Sequence, residues 1–377
     1  MTTLRVIVDQ MVAAHPGGIG RYTHELTRGL IAAAPSGCDV EGIVAATTEE
    51  NYALIERSLP GLARLHKTSL GRRELAAAWQ LGLRSSAMNG LIHAPSLLAP
   101  LRKNNHVTGT QVAITVHNVF AWTDPSSLSP QNIAWQKAVI KRARKFADAI
   151  VVPSHAVAAE LADIDNFGDR IRVISGAAAE SLQLPSDADA RARDLALPER
   201  YILTMGGLRP RKGVTELITA LGLPGASELP LVIVGGPEAD DPDLAAAVAA
   251  AGLPEDRVRT FGHLDDGDLA VIYDRAAVFV YPSLASGFGL PVLEAFTFGT
   301  PVVHSDAPAL LEVAGDAGLV VERDEPIGYP HRLSEAITSV LDDSALADRL
   351  SVSGSDRARA YSWFDSAQRV WQLHADL

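Results

Sequence analysis

Cysteine and long apolar runs are nearly absent from this sequence, and each shortage excludes a class of protein. The 377 residues include a single cysteine, Cys38, so the chain cannot form an internal disulfide, and we expect a reducing compartment. No apolar run approaches the roughly 18 residues that a membrane-spanning helix needs. Residues 1–9 are too short and too charged a stretch to predict a signal peptide. The sequence therefore predicts a soluble protein of the cytoplasm, with the inner face of the membrane as an alternative location.

Positive charge is in the minority and unevenly distributed. The chain carries 33 Lys and Arg against 45 Asp and Glu, a net charge of −12, which argues against binding to nucleic acid. Residues 1–180 hold 18 basic and 15 acidic residues, so the rest of the chain holds 15 basic and 30 acidic ones. This asymmetry predicts different partners for the two parts of the chain.

One predicted helix concentrates basic residues. Lys137, Lys141 and Arg144 follow at i, i+4 and i+7 and therefore share a face, with Arg142 and Lys145 beside them. A solvated helix face is the favoured interpretation. The alternative is a surface for an anionic lipid or acceptor, which would give peripheral membrane contact through Lys137, Lys141 and Arg144.

Short apolar runs alternate with segments of helical spacing along the whole chain. This alternation predicts an α/β fold with parallel sheets covered by helices, and the length suggests two domains. The predicted strands occupy residues 4–9, 40–46, 112–116, 149–152, 171–174, 201–205, 231–234 and 278–281, and residues 301–303 open the next strand. The predicted helices occupy residues 19–33, 214–221 and 243–251 and begin again at 294.

A polar, alanine-rich stretch at residues 175–198 predicts an interdomain linker. The expected domains are therefore residues 1–180 and 199–358. A last helix is predicted over residues 362–377, with Ser362 as its cap, and we interpret its aromatic stripe as core packing.

Two glycine-containing loops follow strand-like runs and precede helices, where parallel sheets bind ligands. In the first, Gly17 and Gly18 allow backbone to approach an anion, although a plain tight turn explains them equally well. In the second, Gly206 and Gly207 precede Arg209, Arg211 and Lys212 in an otherwise acidic half of the chain. This second loop predicts a diphosphate site.

A third loop, at residues 282–295, combines glycines with a helix start. A carboxylate at Glu294 could accept two hydrogen bonds from a ribose diol. Complementing the helix dipole would explain Glu294 alone, but not the neighbouring glycines. The loop is expected to present the successive backbone amides of Gly287, Phe288, Gly289 and Leu290.

Two further features bear on chemistry. His117 and Asn118 end the predicted strand 112–116, where a structural histidine and a site histidine are equally consistent with the pattern. The acidic clusters at residues 240–243 and 265–268 precede helices, so we interpret them as caps and predict no metal or other cofactor.

The order of these segments resembles the retaining glycosyltransferases of family 4, or glycosyl transferases group 1, a family that includes mannosyltransferases. The resemblance covers nearly the whole chain. It implies the GT-B architecture, in which two Rossmann-like domains have parallel sheets facing across a cleft. It is carried by GGIGRYTHEL, TVHN, VVPSHAVAAEL, PRKG, FGHLDDGDLAVIYDRA, PSLASGFGLPVLEA and GTPVVHSDAPALLEVAGDAG.

The resemblance also implies an activity, the transfer of a hexosyl group from a nucleotide sugar to a glycan or lipid-linked acceptor with retention. The first domain would bind the acceptor and the second the donor, and helix 362–377 would pack back on the first domain. Catalytic roles would fall to His117, Arg211 and Lys212. Donor contacts would involve Gly17, Gly18, Gly207, Arg211, Lys212, Ser286, Gly287, Phe288, Gly289, Leu290 and Glu294.

Ser286 departs from the family pattern E-x7-E, in which seven residues separate a first glutamate from the helix glutamate. Serine keeps hydrogen-bonding capacity but loses the charge. A different donor sugar or a weakened site could follow, so two alternatives stay open: a non-catalytic nucleotide-binding relative, or a sugar-nucleotide epimerase on the same fold. Mannose, rhamnose, glucose and N-acetylglucosamine all remain possible donor sugars.

Overall fold

A computed structural model describes residues 2–83, 89–103, 109–236, 238 and 240–377, which divide into two units. The first unit comprises residues 1–176 and 362–377, and the second comprises residues 177–361. The structure therefore assigns most of the stretch predicted as a linker to the second unit. Ala179 and Leu182 belong to that unit's core, and Arg191 Nη1 donates to Asp268 Oδ1 at 2.7 Å.

A parallel sheet of strand order β3-β2-β1-β4-β5-β6-β7 forms the centre of the first unit, as far as its residues are described. Its inner strands are almost fully buried because helices cover both faces. The strands are β1 (Thr2–Ile7), β2 (Cys38–Ala46), β3 (Arg64–Gly71), β4 (Leu91–Ala94), β5 (Gln111–Thr115), β6 (Ala149–Val152) and β7 (Ile171–Val173). The helices before the second unit are α1 (Gly17–Ala32), α2 (Glu49–Ser58), α3 (Arg72–Gln80), α4 (Phe120–Thr123), α5 (Pro130–Phe146) and α6 (His155–Ile164).

The second unit repeats this plan with a sheet of order β10-β9-β8-β11-β12-β13. Its strands are β8 (Ile202–Met205), β9 (Leu231–Val234), β10 (Val258–Phe261), β11 (Val278–Tyr281), β12 (Val302–Ser305) and β13 (Leu319–Val321). Its helices are α7 (Ala188–Asp194), α8 (Val214–Leu221), α9 (Pro242–Ala250), α10 (Asp266–Arg275), α11 (Leu290–Thr297), α12 (Pro308–Ala314), α13 (Tyr329–Asp342) and α14 (Ser344–Ala358).

The final helix, α15 (Trp363–Asp376), packs on the first unit rather than on the second. Ser362 Oγ accepts from the Asp365 amide at 3.3 Å, which confirms the predicted cap. Trp371 Nε1 donates to the Leu30 carbonyl at 3.0 Å. A Cβ on Gly29 would lie 2.8 Å from the Trp363 carbonyl oxygen, so glycine allows α1 and α15 to approach closely.

Strand order reverses once in each described sheet, between β1 and β4 and between β8 and β11. At such a point the helices that follow the two neighbouring strands pack on opposite faces of the sheet, and ligands bind at the carboxyl ends of the strands. We call the carboxyl ends of β1 and β4, and of β8 and β11, the reversal edges of the two units. The loops at these two edges contain most of the site residues that the sequence predicts.

Candidate functional site

The reversal edge of the second unit brings two predicted loops into direct contact. Residues 206–213 leave β8, and residues 282–289 leave β11. The amide of Leu284 donates to the Arg211 carbonyl at 2.8 Å, and Ser283 Oγ donates to the same oxygen at 3.1 Å. The basic loop and the glycine loop therefore form one hydrogen-bonded structure.

Gly213 makes this contact possible. A 3-10 turn at Pro210–Lys212 ends at Gly213, whose φ of 66° lies in the left-handed region. A Cβ at this position would stand 2.0 Å from the Pro282 carbonyl oxygen, so no side chain fits. Gly213 is the glycine of the PRKG motif, but the sequence does not show which backbone it approaches.

Lys212 is held by an aromatic side chain at the end of β11. Its Nζ donates to Tyr281 Oη at 3.1 Å and lies 5.3 Å from the centre of the same ring. The lysine is partly buried, which reduces the conformational freedom it would lose on gripping an anion. Gly207, in the same loop, has no described atom within 4 Å of where a Cβ would stand.

Three side chains donate hydrogen bonds to backbone carbonyls of the glycine loop, residues 282–289. Tyr329 Oη donates to the Pro282 carbonyl at 3.0 Å, Ser305 Oγ donates to the Ser283 carbonyl at 2.5 Å, and Arg323 donates to the Leu284 carbonyl. The loop ends at Gly289, which has a φ of 117° and immediately precedes α11. Ser286 is partly buried in this loop.

Helix α11 begins at Leu290, with Pro291 as its second residue, and Glu294 follows one turn later. The amides of Phe288, Gly289 and Leu290 thus lie at a helix start, where unpaired N–H groups favour an anion. Glu294 is 3% exposed, and its Oε2 accepts from Tyr273 Oη at 2.9 Å.

In the first unit, His117 lies two residues beyond the end of β5. Its Nε2–H donates to the Pro95 carbonyl at 2.8 Å, since a carbonyl can only accept. Burial lowers its pKa to about 4, so the ring is neutral at pH 7 and Nδ1 is the acceptor nitrogen. The Tyr22 ring meets the imidazole edge-to-face at 4.6 Å between centroids, and Asn118 Oδ1 accepts from the Phe120 amide at 3.3 Å.

Gly17 and Gly18 begin α1 at the reversal edge of the same unit. Both are exposed, and apart from neighbouring backbone no described atom lies within 4 Å of where a Cβ would stand at either position. The sequence motifs do not include Asp9, which is buried just beyond the end of β1. It accepts from the Ala45 amide at 3.0 Å and pairs with Arg72. An acidic residue at the end of a predicted strand was the available signal.

The acidic clusters cap helices, as predicted. Asp241 Oδ1 accepts from the amides of Asp243 and Leu244 and caps α9, and Asp265 caps α10. On the basic helix α5, Lys137 and Lys141 are exposed, and Arg144 Nη1 pairs with Asp165 Oδ1 at 2.7 Å. No helix in the described part of the chain has the length and apolarity to cross a bilayer.

Comparison with known proteins identifies the family. The family Glycosyltransferase Family 4 matches residues 16–178, and Glycosyl transferases group 1 matches residues 186–357. O-antigen chain mannosyltransferase B of Escherichia coli is 29% identical over 286 residues, 72% of this chain and 71% of that protein. D-inositol 3-phosphate glycosyltransferase 1 of Catenulispora acidiphila is 30% identical over 301 residues, 76% of this chain and 68% of that protein.

Solved structures match the fold. HepE from Anabaena, in complex with UDP and glucose, superposes with a TM-score of 0.76 at 18% identity and covers 100% of both chains. Together with two parallel Rossmann-like sheets, this likeness identifies the GT-B fold. The chain belongs to the group 1 glycosyl transferases and is a glycosyltransferase.

Proposed function

We propose that this chain transfers a hexosyl group from a nucleotide sugar to a glycan or lipid-linked acceptor with retention of configuration. One observation carries the proposal: at the reversal edge of the second unit, hydrogen bonds join the loop that carries Arg211 and Lys212 to the loop that starts α11, and the buried carboxylate of Glu294 follows one turn into that helix. Charge-assisted contacts and fixed amide dipoles suit a diphosphate, and a carboxylate suits a ribose diol. The family to which the chain belongs supports the same assignment.

The proposed chemistry uses positive charge at the leaving group. When the bond between the sugar C1 and the diphosphate oxygen breaks, negative charge collects on the departing nucleotide. Arg211, Lys212 and the α11 amides stabilise this charge without a metal ion or other cofactor. The acceptor oxygen attacks C1 on the same face, and its proton passes to the leaving phosphate.

For three residues of the first unit we propose the roles that the resemblance implies. Gly17 and Gly18 offer open backbone to the donor phosphates, and His117 contacts the transferred sugar. A neutral His117 accepts a hydrogen bond from a sugar hydroxyl at Nδ1, because its Nε2–H already donates to the Pro95 carbonyl. A catalytic contribution from His117 is therefore hydrogen bonding and not proton donation.

A mannosyl donor is the first to test, because O-antigen chain mannosyltransferase B of Escherichia coli is named for mannose transfer. We further propose that the enzyme works in the cytoplasm, on an acceptor held at the inner face of the membrane. The exposed Lys137 and Lys141 of α5 support this location, whereas Arg144 is already paired with Asp165.

A thermal-shift screen with GDP, UDP, dTDP and ADP tests the nucleotide site. A specific nucleotide raises the melting temperature by mass action, and the matching sugar donors are then assayed for turnover. Retention is read from the anomeric configuration of the product by NMR. A chain that none of the four nucleotides stabilises would contradict the proposal.

Because Ser286 stands where the family commonly has glutamate, a second candidate function is that of a nucleotide-binding relative without turnover. The Ser286→Glu variant separates the two candidates because their predicted effects have opposite signs. In an active enzyme fitted to serine, the new carboxylate lowers turnover by about tenfold or more and leaves nucleoside diphosphate affinity unchanged. In an inactive relative, the same change raises turnover on a common hexose donor from near zero.

A further inference from the structure

The sequence motifs assign no role to Tyr273, yet its hydroxyl donates a hydrogen bond to Glu294. The residue lies near the end of α10 and is fully buried, and Oη donates to Glu294 Oε2 at 2.9 Å. The same hydroxyl lies 3.6 Å from Met205 Sδ, at the end of β8. Since a carboxylate is a much stronger acceptor than a thioether, the proton is directed at Glu294.

The ring that bears this hydroxyl is fixed by its surroundings. It stacks on Phe298 at 6.0 Å with planes 5° apart, and meets Phe279 edge-to-face at 5.5 Å. Thr300 Oγ1 donates to the Tyr273 carbonyl at 2.7 Å, which fixes the backbone as well. The hydroxyl therefore donates in a direction that the packing of its ring defines.

We infer that Tyr273 is a positioning residue, which sets the orientation of the Glu294 carboxylate so that it accepts from the ribose hydroxyls of the donor. The inference rests on the proposed function, in which Glu294 binds ribose. A carboxylate rotates about its last bond, and accepting from two hydroxyls on adjacent carbons requires one orientation of its plane. A hydrogen bond to Oε2 from a fixed ring holds that plane before the nucleotide arrives.

A purely structural role would have different consequences. If the hydroxyl only satisfies a buried carboxylate, its loss lowers the stability of the second unit and affects every ligand alike. A positioning role instead weakens the interaction with the ribose hydroxyls specifically. The diagnostic quantity is the ratio of dissociation constants for a 2′-deoxynucleotide and the matching ribonucleotide.

The experiment measures this ratio by calorimetry with GDP and dGDP and with UDP and dUDP. The variants are the parent, Tyr273→Phe, Glu294→Gln and Tyr201→Phe. Tyr201 is the matched control, because it is equally buried in the same unit and donates to the Ile272 carbonyl at 2.7 Å. We expect a parent ratio of about tenfold, retained by Tyr201→Phe and reduced to about threefold or less by the other two variants.

The outcomes distinguish the inference from the proposed function. If Glu294→Gln lowers the ratio and Tyr273→Phe does not, Glu294 binds ribose but Tyr273 does not position it, and the inference is wrong. If neither nucleotide binds, or Glu294→Gln leaves the ratio unchanged, the ribose site itself is wrong and the inference fails with it. Melting curves of both Phe variants show that each is folded, so equal losses of stability with unequal ratios support the inference.

Discussion

The two sheets each reverse strand order once, but the loops at the two reversal edges are built differently. In the second unit the basic loop and the glycine loop are joined to each other through the Arg211 carbonyl, and Lys212 and Glu294 are each held by a tyrosine. In the first unit, Gly17 and Gly18 begin α1 exposed, with open space around both.

This difference separates two ways of preparing a binding site. A loop held by its own chain is preformed, so binding costs little ordering entropy. An exposed glycine turn offers backbone amides to an anion but does not hold them by side-chain contacts. Substitutions where the two second-unit loops touch each other, such as Gly213, therefore affect folding and binding together, whereas substitutions at Gly18 report on the ligand alone. The predictions below test this contrast.

Gly213→Ala is expected to cause the largest loss. A methyl group 2.0 Å from the Pro282 carbonyl oxygen cannot be accommodated without moving backbone, and alanine is strained at a φ of 66°. We expect a loss of about 3–5 kcal/mol in the free energy of unfolding, measured by denaturant titration.

The matched controls are Gly207→Ala and Gly18→Ala, which meet no described atom within 4 Å. Both should change the free energy of unfolding by less than about 0.5 kcal/mol while weakening donor binding. If Gly213→Ala is as stable as Gly207→Ala, the contact between the two second-unit loops is not formed.

Acid should destabilise the first unit before the second. Burial lowers the pKa of both His117 and His374 to about 4, so each is neutral in the folded state and charged below about pH 6.5 in the unfolded state. The unfolded state then binds more protons, and stability falls as the pH drops from about 6.5 to 4, by about 3 kcal/mol for each histidine.

Hydrogen exchange at pH 7 and pH 5 resolves this loss by segment. We expect exchange to accelerate first in β5 and α15, which carry or adjoin these histidines. In the second unit, His304 is the histidine whose pKa burial lowers among the described residues. His374→Leu should remove part of the pH dependence of stability. If both units of the wild-type chain lose protection from exchange at the same pH, the prediction is wrong.

Arg211→Ala and Lys212→Ala should each weaken nucleoside diphosphate binding by about 1.5–3 kcal/mol, the range for charge-assisted hydrogen bonds. Calorimetry measures the loss, and Arg349→Ala, an exposed arginine on α14, is the matched control. Because the two loops are joined through the Arg211 carbonyl, which alanine keeps, neither variant should change the melting temperature of the free protein by more than a few degrees. A double variant that binds like the parent would locate the phosphate site elsewhere.

The central strands could be predicted from sequence because they are buried on both faces. Predicted strands 149–152, 231–234 and 278–281 match β6, β9 and β11 to the residue. Strand β3 was missed because it is an edge strand whose polar residues, such as Lys67 and Thr68, break the apolar run. Strand β4 was missed because His93 interrupts its short apolar run, unlike the uninterrupted runs of β6 and β9.

The site could be predicted only as far as local motifs extend. Glycine loops, cations and Glu294 are recognisable because their residue types fit phosphate and ribose. Tyr273 and Tyr281 were missed because a tyrosine in an apolar helix or strand has the pattern of core packing. Their hydroxyl partners, Glu294 and Lys212, lie 21 and 69 residues away along the chain, so the pairing depends on tertiary structure.

Chelation should have the smallest effect, which is none. In the proposed mechanism Arg211, Lys212 and the α11 amides supply positive charge at the reversal edge of the second unit, so we expect the leaving diphosphate to need no cation. Asp241 and Asp265 are engaged as helix caps, and Arg191 also pairs with Asp265. Turnover in excess EDTA should equal turnover in buffer, measured beside a Mg²⁺-dependent glycosyltransferase as a positive control. Loss of turnover in chelator, with recovery on adding Mg²⁺ or Mn²⁺, would mean that these loops do not stabilise the leaving group unaided, because a cation would then be supplying charge that we assign to these side chains.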